Sequence, residues 1–201
     1  MVLKIHGHLI ATCTQRVLTV AEELGVPYEL VVVDYTKNEH KSPAYMAHQP
    51  FGQLPYVEDD GVEVFESRAI CRFLALKYGG VGRLIPAQGD LVKTAKFEQA
   101  ASVELNDFEA PMGMLAWEAK YKAHYGLPLN LEAAKEHKAK AEARLDGYET
   151  MLSKTRFLRW GQHGFDFVNS KSSRWPNVSR WWKEVTARPS WAKVNEMKKA
   201  I

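Results

Sequence analysis

Apolar residues follow two rhythms along the chain. Met1 to His6 and Tyr28 to Val33 are short runs rich in β-branched residues. Between them, Thr12 to Leu24 places Val17, Leu18, Val20, Ala21 and Leu24 at helical spacing, closed by Gly25-Val26-Pro27, and this predicts a β-α-β unit. A polar stretch, Thr36 to Ala47, leads into PYVEDDGVEVFE, where two short strands flank Asp60-Gly61, a strong hairpin-turn pair. Ser67 then stands where a helix N-cap belongs, before an apolar stripe of Ile70, Phe73, Leu74 and Leu76 that Gly79-Gly80 stops. Beyond residue 90 the alternating rhythm is lost. Leu91 to Tyr125 and Leu131 to Leu152 read as long amphipathic helices and Val178 to Thr186 as a shorter one.

The order β-α-β, irregular segment, β-β-α is that of the thioredoxin fold. The expected architecture is therefore an α/β thioredoxin-like N-terminal domain, residues 1–80, followed by an all-α C-terminal domain, residues 91–201. The Gly- and Pro-bearing stretch 81–90 would be the linker. No repeat of solenoid period occurs.

Composition narrows the partners. The 201 residues are 46% hydrophobic and 25% charged, the make-up of a globular protein. The 27 basic and 24 acidic residues are dispersed and leave a net charge of only +3, too mild for a nucleic-acid surface. No apolar run approaches membrane-spanning length and the N-terminus lacks an apolar signal core, so the expected location is the cytosol, with no nucleic-acid or membrane partner. Cys13 and Cys71 have neither CxxC spacing nor a His partner set, so no metal site is expected from them.

Three features carry chemistry. In a thioredoxin fold the proline that opens the third strand is usually cis, and the residue before it offers its N–H and C=O to an extended peptide; here these are Pro55 and Leu54. Glu66-Ser67 at a helix start can read both charges of an amino acid, the carboxylate at the helix N-terminus and Ser67 hydroxyl, the ammonium at Glu66. His40 and Lys41 offer cationic donors for a second carboxylate, and Gln53 can bond the peptide between them. A γ-glutamyl-cysteinyl-glycine tripeptide has those groups in that order. Singly, each residue has a plainer reading: Ser67 as a helix cap, His40 and Lys41 as solvated loop charges, Cys71 as a small core residue.

EHKSPAYMAHQPFGQLP followed by FESRAI, then FEQAASVELNDFEAP and Pro176-Asn177-Val178-Ser179-Arg180-Trp181-Trp182, resembles the phi class of glutathione transferases of plants and fungi. That resemblance implies glutathione as co-substrate, no metal, conjugation of its thiolate to apolar electrophiles in detoxification, and a homodimer. It also places Met112, Trp117 and Tyr121 at the second-substrate pocket, where core packing is the plainer alternative for each.

The chain departs from that pattern twice. Ungapped alignment from Gly7-His8 to Arg16-Val17 puts Ala11 where the class carries its thiolate-stabilising serine. Thr12 is then the first candidate for the role and Cys13 the second, both near a helix N-terminus whose dipole favours a thiolate. Between Phe157-Leu158-Arg159-Trp160 and Gly161-Gln162-His163-Gly164-Phe165 about a helix's worth of residues, on the order of 10 to 20, is absent relative to the class. These departures keep two alternatives open: a non-catalytic ligand-binding or regulatory module, and a Cys13-dependent glutathione thiol reductase or peroxidase.

Overall fold

The computed structural model of the chain describes residues 2–124, 126–157 and 173–199. The chain divides into two compact units, residues 1–90 with 188–201, and residues 91–187.

The first unit is built on a sheet with strand order β2-β1-β3-β4. β1 (Leu3–Gly7) runs parallel to β2 (Tyr28–Val32) and antiparallel to β3 (Tyr56–Asp59), which pairs antiparallel with β4 (Val62–Phe65). The β3–β4 turn has φ of 49° at Asp60 and 81° at Gly61, the two positive values that a primed two-residue hairpin turn requires. α1 (Thr12–Leu24) and α3 (Ser67–Lys77) pack together, burying Val17, Leu18 and Ala21 on the first and Ile70, Cys71 and Leu74 on the second. Leu3, Ile5 and Val57 of the sheet are buried as well. α1 ends at Gly25 in the left-handed region, whose N–H reaches the carbonyls of Ala21 and Glu22. The polar stretch folds as two 3₁₀ turns (Tyr35–Lys37, Glu39–Lys41) and the short α2 (Pro43–Met46), elements too brief for periodicity to reveal.

One expectation shifts by a residue. Glu66, with φ 67° and ψ 106°, is the N-cap of α3, and Ser67 is its first helical residue. Its hydroxyl accepts from Arg16 instead of folding back onto the helix.

α9 (Pro189–Lys199) was not singled out by the apolar pattern, because only Ser190, Trp191 and Val194 are buried. It packs against α1 through charge: the Arg188 guanidinium makes a bidentate pair with Glu23 at 2.6 and 2.7 Å, Ser190 donates to the same carboxylate, and Lys193 reaches Glu22 at 2.8 Å. The Arg188 hydrogen bond, outweighing the cost of burial, holds Glu23 below its ordinary pKa. A depressed carboxylate stabilises the fold above its unfolded pKa and loses that contribution as pH falls through the folded value. Glu23→Gln is therefore expected to lower stability by about 1 kcal/mol at neutral pH, seen as a melting temperature roughly 3 °C lower. The gap to the native protein should close as pH drops below the ordinary glutamate range; a constant gap would argue against this pair.

Among its described residues the second unit consists of helices joined by turns, with no strand. One long helical run comprises α4 (Leu91–Val103), α5 (Ala110–Ala116) and α6 (Lys122–His124), joined by π-helical stretches at Glu104–Glu109 and Trp117–Tyr121. The first stretch precedes Pro111, whose ring cannot tolerate the carbonyl four residues back in α geometry; widening the turn relieves that clash. α7 (Leu131–Lys154) and α8 (Pro176–Thr186) complete the unit. Glu149 of α7 caps α8, accepting from the N–H groups of Asn177 and Val178, each at 3.0 Å. The core joins Phe108, Met112, Leu115, Leu145, Tyr148 and Trp181. The expected deletion around Trp160-Gly161 lies outside the described residues. Among the described residues no helix is long and apolar enough to cross a membrane.

Candidate functional site

Gly7 at the end of β1 lets three elements meet. A Cβ there would lie 2.6 Å from Thr14 Oγ1, 2.8 Å from Thr14 Cγ2 and 3.2 Å from Pro55 Cβ, so the start of α1 sits against the proline that opens β3. The Leu54–Pro55 bond is cis, and no other described residue bonds the Leu54 N–H or carbonyl. Ala11 is the N-cap of α1 and gives no side-chain cap. The first N–H groups of a helix have no partner within it, so this uncapped end offers donors, and positive potential, to an anion. The Thr12 hydroxyl, half-buried at the first helical position, is bonded by no other described residue.

Arg16 joins the two helix starts. Only 6% exposed, it donates from Nη1 to Ser67 Oγ at 2.7 Å and approaches Cys13 Sγ at 3.5 Å. Cys13 and Ser67, far apart in sequence, thus share one guanidinium. Glu66 is exposed beside them, at a positive φ that non-glycine residues adopt at a cost of about 1–3 kcal/mol. Arg16 is the residue that sequence reasoning missed; its signal is the i, i+3 spacing from Cys13 and i, i+4 from Thr12, which puts all three at one helix end. Cys71 is fully buried, donates weakly to the Arg16 carbonyl, and burial pushes its thiol up to about 12. It is a core residue.

His40, Lys41 and Gln53 lie on the segment between β2 and β3. Gly52, at φ 57°, lets the Lys41 stem lie across it: a Cβ would meet Lys41 Cδ at 2.7 Å and the His40 carbonyl at 2.8 Å. Lys41 Nζ donates to the Phe51 carbonyl at 3.2 Å. The Gln53 side chain is exposed while its backbone is fixed, its N–H donating to Gln49 and its carbonyl accepting from Tyr45 at 2.8 Å. Burial, and then the charge of Lys41, lower the His40 pKa, so at neutral pH His40 is an uncharged donor and Lys41 carries the charge.

The three residues on the long helical run separate. Met112 is 2% exposed and belongs to the core of the second unit. Trp117 and Tyr121 are half-buried at the two ends of the second π-helical stretch, a backbone form concentrated at functional sites.

The sheet order, the cis-proline at β3 and the helix starts joined through Arg16 define a thioredoxin-like domain, here accompanied by a helical unit. The family described as "Glutathione S-transferase, N-terminal domain" matches residues 1–76. Glutathione S-transferase PM239X14 of Arabidopsis thaliana is 45% identical over 158 residues, 78% of this chain and 72% of its own length. Glutathione S-transferase F11 of the same plant is 34% identical over 216 aligned positions, 98% and 99% of the two chains. Among solved structures, glutathione transferase F2 of Populus trichocarpa superposes with a TM-score of 0.86 at 31% identity, over 99% of this chain and 100% of its own. The maize enzyme I, solved with an atrazine glutathione conjugate, has a TM-score of 0.83 at 27% identity, over 99% of each chain. The chain belongs to the glutathione S-transferase family, with the F-type, or phi, plant enzymes among its relatives.

Proposed function

We propose that glutathione lies extended along Leu54 and Pro55, its γ-glutamyl end at Glu66 and Ser67, its glycyl carboxylate at Lys41 with His40 and Gln53 beside it. The observation that carries this reading is the Arg16 bridge between Ser67 and the start of α1, which brings a γ-glutamyl site and a thiolate site within one short peptide's reach. The thiolate meets Thr12 and the open N–H groups of α1, and attacks an apolar electrophile. Binding supplies proximity and the helix end supplies the nucleophile. The same reading puts the protein in the cytosol as a homodimer, for which Phe51, 65% exposed beside Phe65, offers an apolar contact.

The direct test is glutathione binding by calorimetry together with turnover of chlorodinitrobenzene, isothiocyanates and hydroperoxides. Ser67→Ala is expected to weaken glutathione binding roughly tenfold, since it deletes one hydrogen bond to a charged group. Binding without any glutathione-dependent turnover would favour the non-catalytic module.

The 3.5 Å approach of Arg16 to Cys13 Sγ supports a second reading. A Cys13 thiolate beside that guanidinium can attack oxidised glutathione, forming a Cys13–glutathione mixed disulfide and releasing one glutathione thiolate. Mass spectrometry after incubation with oxidised glutathione decides it; no adduct on Cys13 removes this reading.

A further inference from the structure

The β3–β4 hairpin contains a conflict that the transferase reading does not explain. Its register places Glu58 directly opposite Glu63, and like charges facing each other across a strand pair are destabilising. Lys4, the register partner of Glu58 on β1, makes no ion pair with it among the described residues. The Tyr56 hydroxyl donates to Glu58 Oε1 at 3.4 Å, and the other groups that approach the carboxylates are imidazoles. His48 Nδ1 is 3.0 Å from each oxygen of Glu63. His6 Nε2 lies 3.1 Å from Glu58 Oε1, yet it is buried and makes no aligned hydrogen bond. Both imidazoles stack on Tyr56, with ring centroids at 4.2 Å for His6 and 5.1 Å for His48 and planes within 7° and 5°. One donor atom each from His48, Glu58 and Glu63 lie within 4.8 Å of one another.

We propose that His48, Glu58 and Glu63 form a binding site for one divalent transition ion of the zinc type, with His6 positioning Glu58. One imidazole and two carboxylates make a nitrogen–oxygen set without thiolate, which suits Zn²⁺, Co²⁺ or Ni²⁺ better than Cu⁺, Mg²⁺ or Ca²⁺. Ligand bonds of about 2.0–2.2 Å put donors roughly 3.4 Å apart in a tetrahedron, so the three must close by about 1 Å. Carboxylates 35% and 47% exposed have the rotamer freedom to do this. Water takes the fourth position. The ion removes the Glu58–Glu63 repulsion and ties His48, just after α2, to the hairpin, fixing the segment that also carries Lys41 and Gln53.

The test uses the full chain stripped with a chelator, titrated with Zn²⁺ by calorimetry and with Co²⁺ by visible absorption. One saturable ion per chain is expected, with the intense bands of four-coordinate Co²⁺ and a melting temperature raised by roughly 5 °C at a hundredfold excess over Kd. Glu63→Gln and His48→Gln should each weaken binding by about tenfold or more, while His137→Gln on α7 leaves it unchanged. Without metal, Glu63→Gln should melt at or above the native protein, and with Zn²⁺ that order should reverse. If either variant fails to fold, Glu58→Gln reads the same two effects. Absence of saturable uptake, or uptake that the ligand variants leave intact, overturns the site.

Discussion

Thr12→Ala is expected to lower kcat/KM for glutathione-dependent conjugation by about 100-fold, the scale of removing one preorganised donor to a developing or resting anion. A free thiol titrates near 8.5, so at neutral pH only a small fraction is nucleophilic unless the site stabilises the thiolate. Ala11 is the cap of α1 and supplies no side-chain donor, so the proposed reading assigns that work to the Thr12 hydroxyl and the first N–H groups of the helix. Without the hydroxyl the bound thiol's pKa rises, and the pH–rate profile moves to higher pH. Native and variant rates should therefore converge above roughly pH 9, where the thiol ionises unaided. Thr12→Ser should recover most of the activity, and Cys13→Ala should conjugate at nearly the native rate. A profile that stays in place in Thr12→Ala while the rate falls would make Thr12 a structural residue. Loss of activity in Cys13→Ala instead would transfer the role to the thiol beside Arg16.

Much of the fold around the candidate site is legible along the chain, because its parts are local. Thr12–Leu24 was readable to the residue from its apolar spacing and Gly25. The hairpin was readable from Asp60-Gly61, which supplies two consecutive positive φ values. What stayed hidden depends on tertiary pairing. Arg16 resembles any charged residue on an amphipathic helix until α3 brings Ser67 to it from 51 positions away. The positive φ of Glu66 is imposed by the sharp change from strand to helix, and Glu–Ser as a dipeptide has no signature for it. α9 hides because its attachment to α1 rests on Arg188, Ser190 and Lys193, and polar positions do not register in an apolar periodicity. Met112 shows the opposite ambiguity: one stripe of large side chains looks the same whether it lines a pocket or fills a core, and burial alone separates them. The facing glutamates were in principle derivable. A two-residue turn at Asp60-Gly61 fixes Glu58 opposite Glu63, but nothing local indicates that His48 folds back against them.

Trp181→Ala should cost about 3–5 kcal/mol, the scale of removing a whole indole from a packed core. Trp181 is 1% exposed in the core of the helical unit. Its ring centroid lies 6.5 Å from that of Tyr148 on α7 and 6.5 Å from that of Trp182 beside it. An indole is the largest side chain available, so truncation leaves a void between α7 and α8 that the surrounding rings are too stiff to fill. At roughly 2–4 °C per kcal/mol for a chain of this size, the melting transition should fall by about 10 °C or more. Trp181→Phe, which keeps an aromatic plate in the same place, should lose less than half as much. Leu145→Ala in the same core should lie between the two, at about 3 kcal/mol. Because α8 is also held by Glu149 through the Asn177 and Val178 N–H groups, Glu149→Gln added to Trp181→Ala should cost less than the two single losses added together: each change already loosens the α7–α8 contact on which the other interaction depends. Strict additivity in that cycle would mean that the core and the cap hold α8 independently.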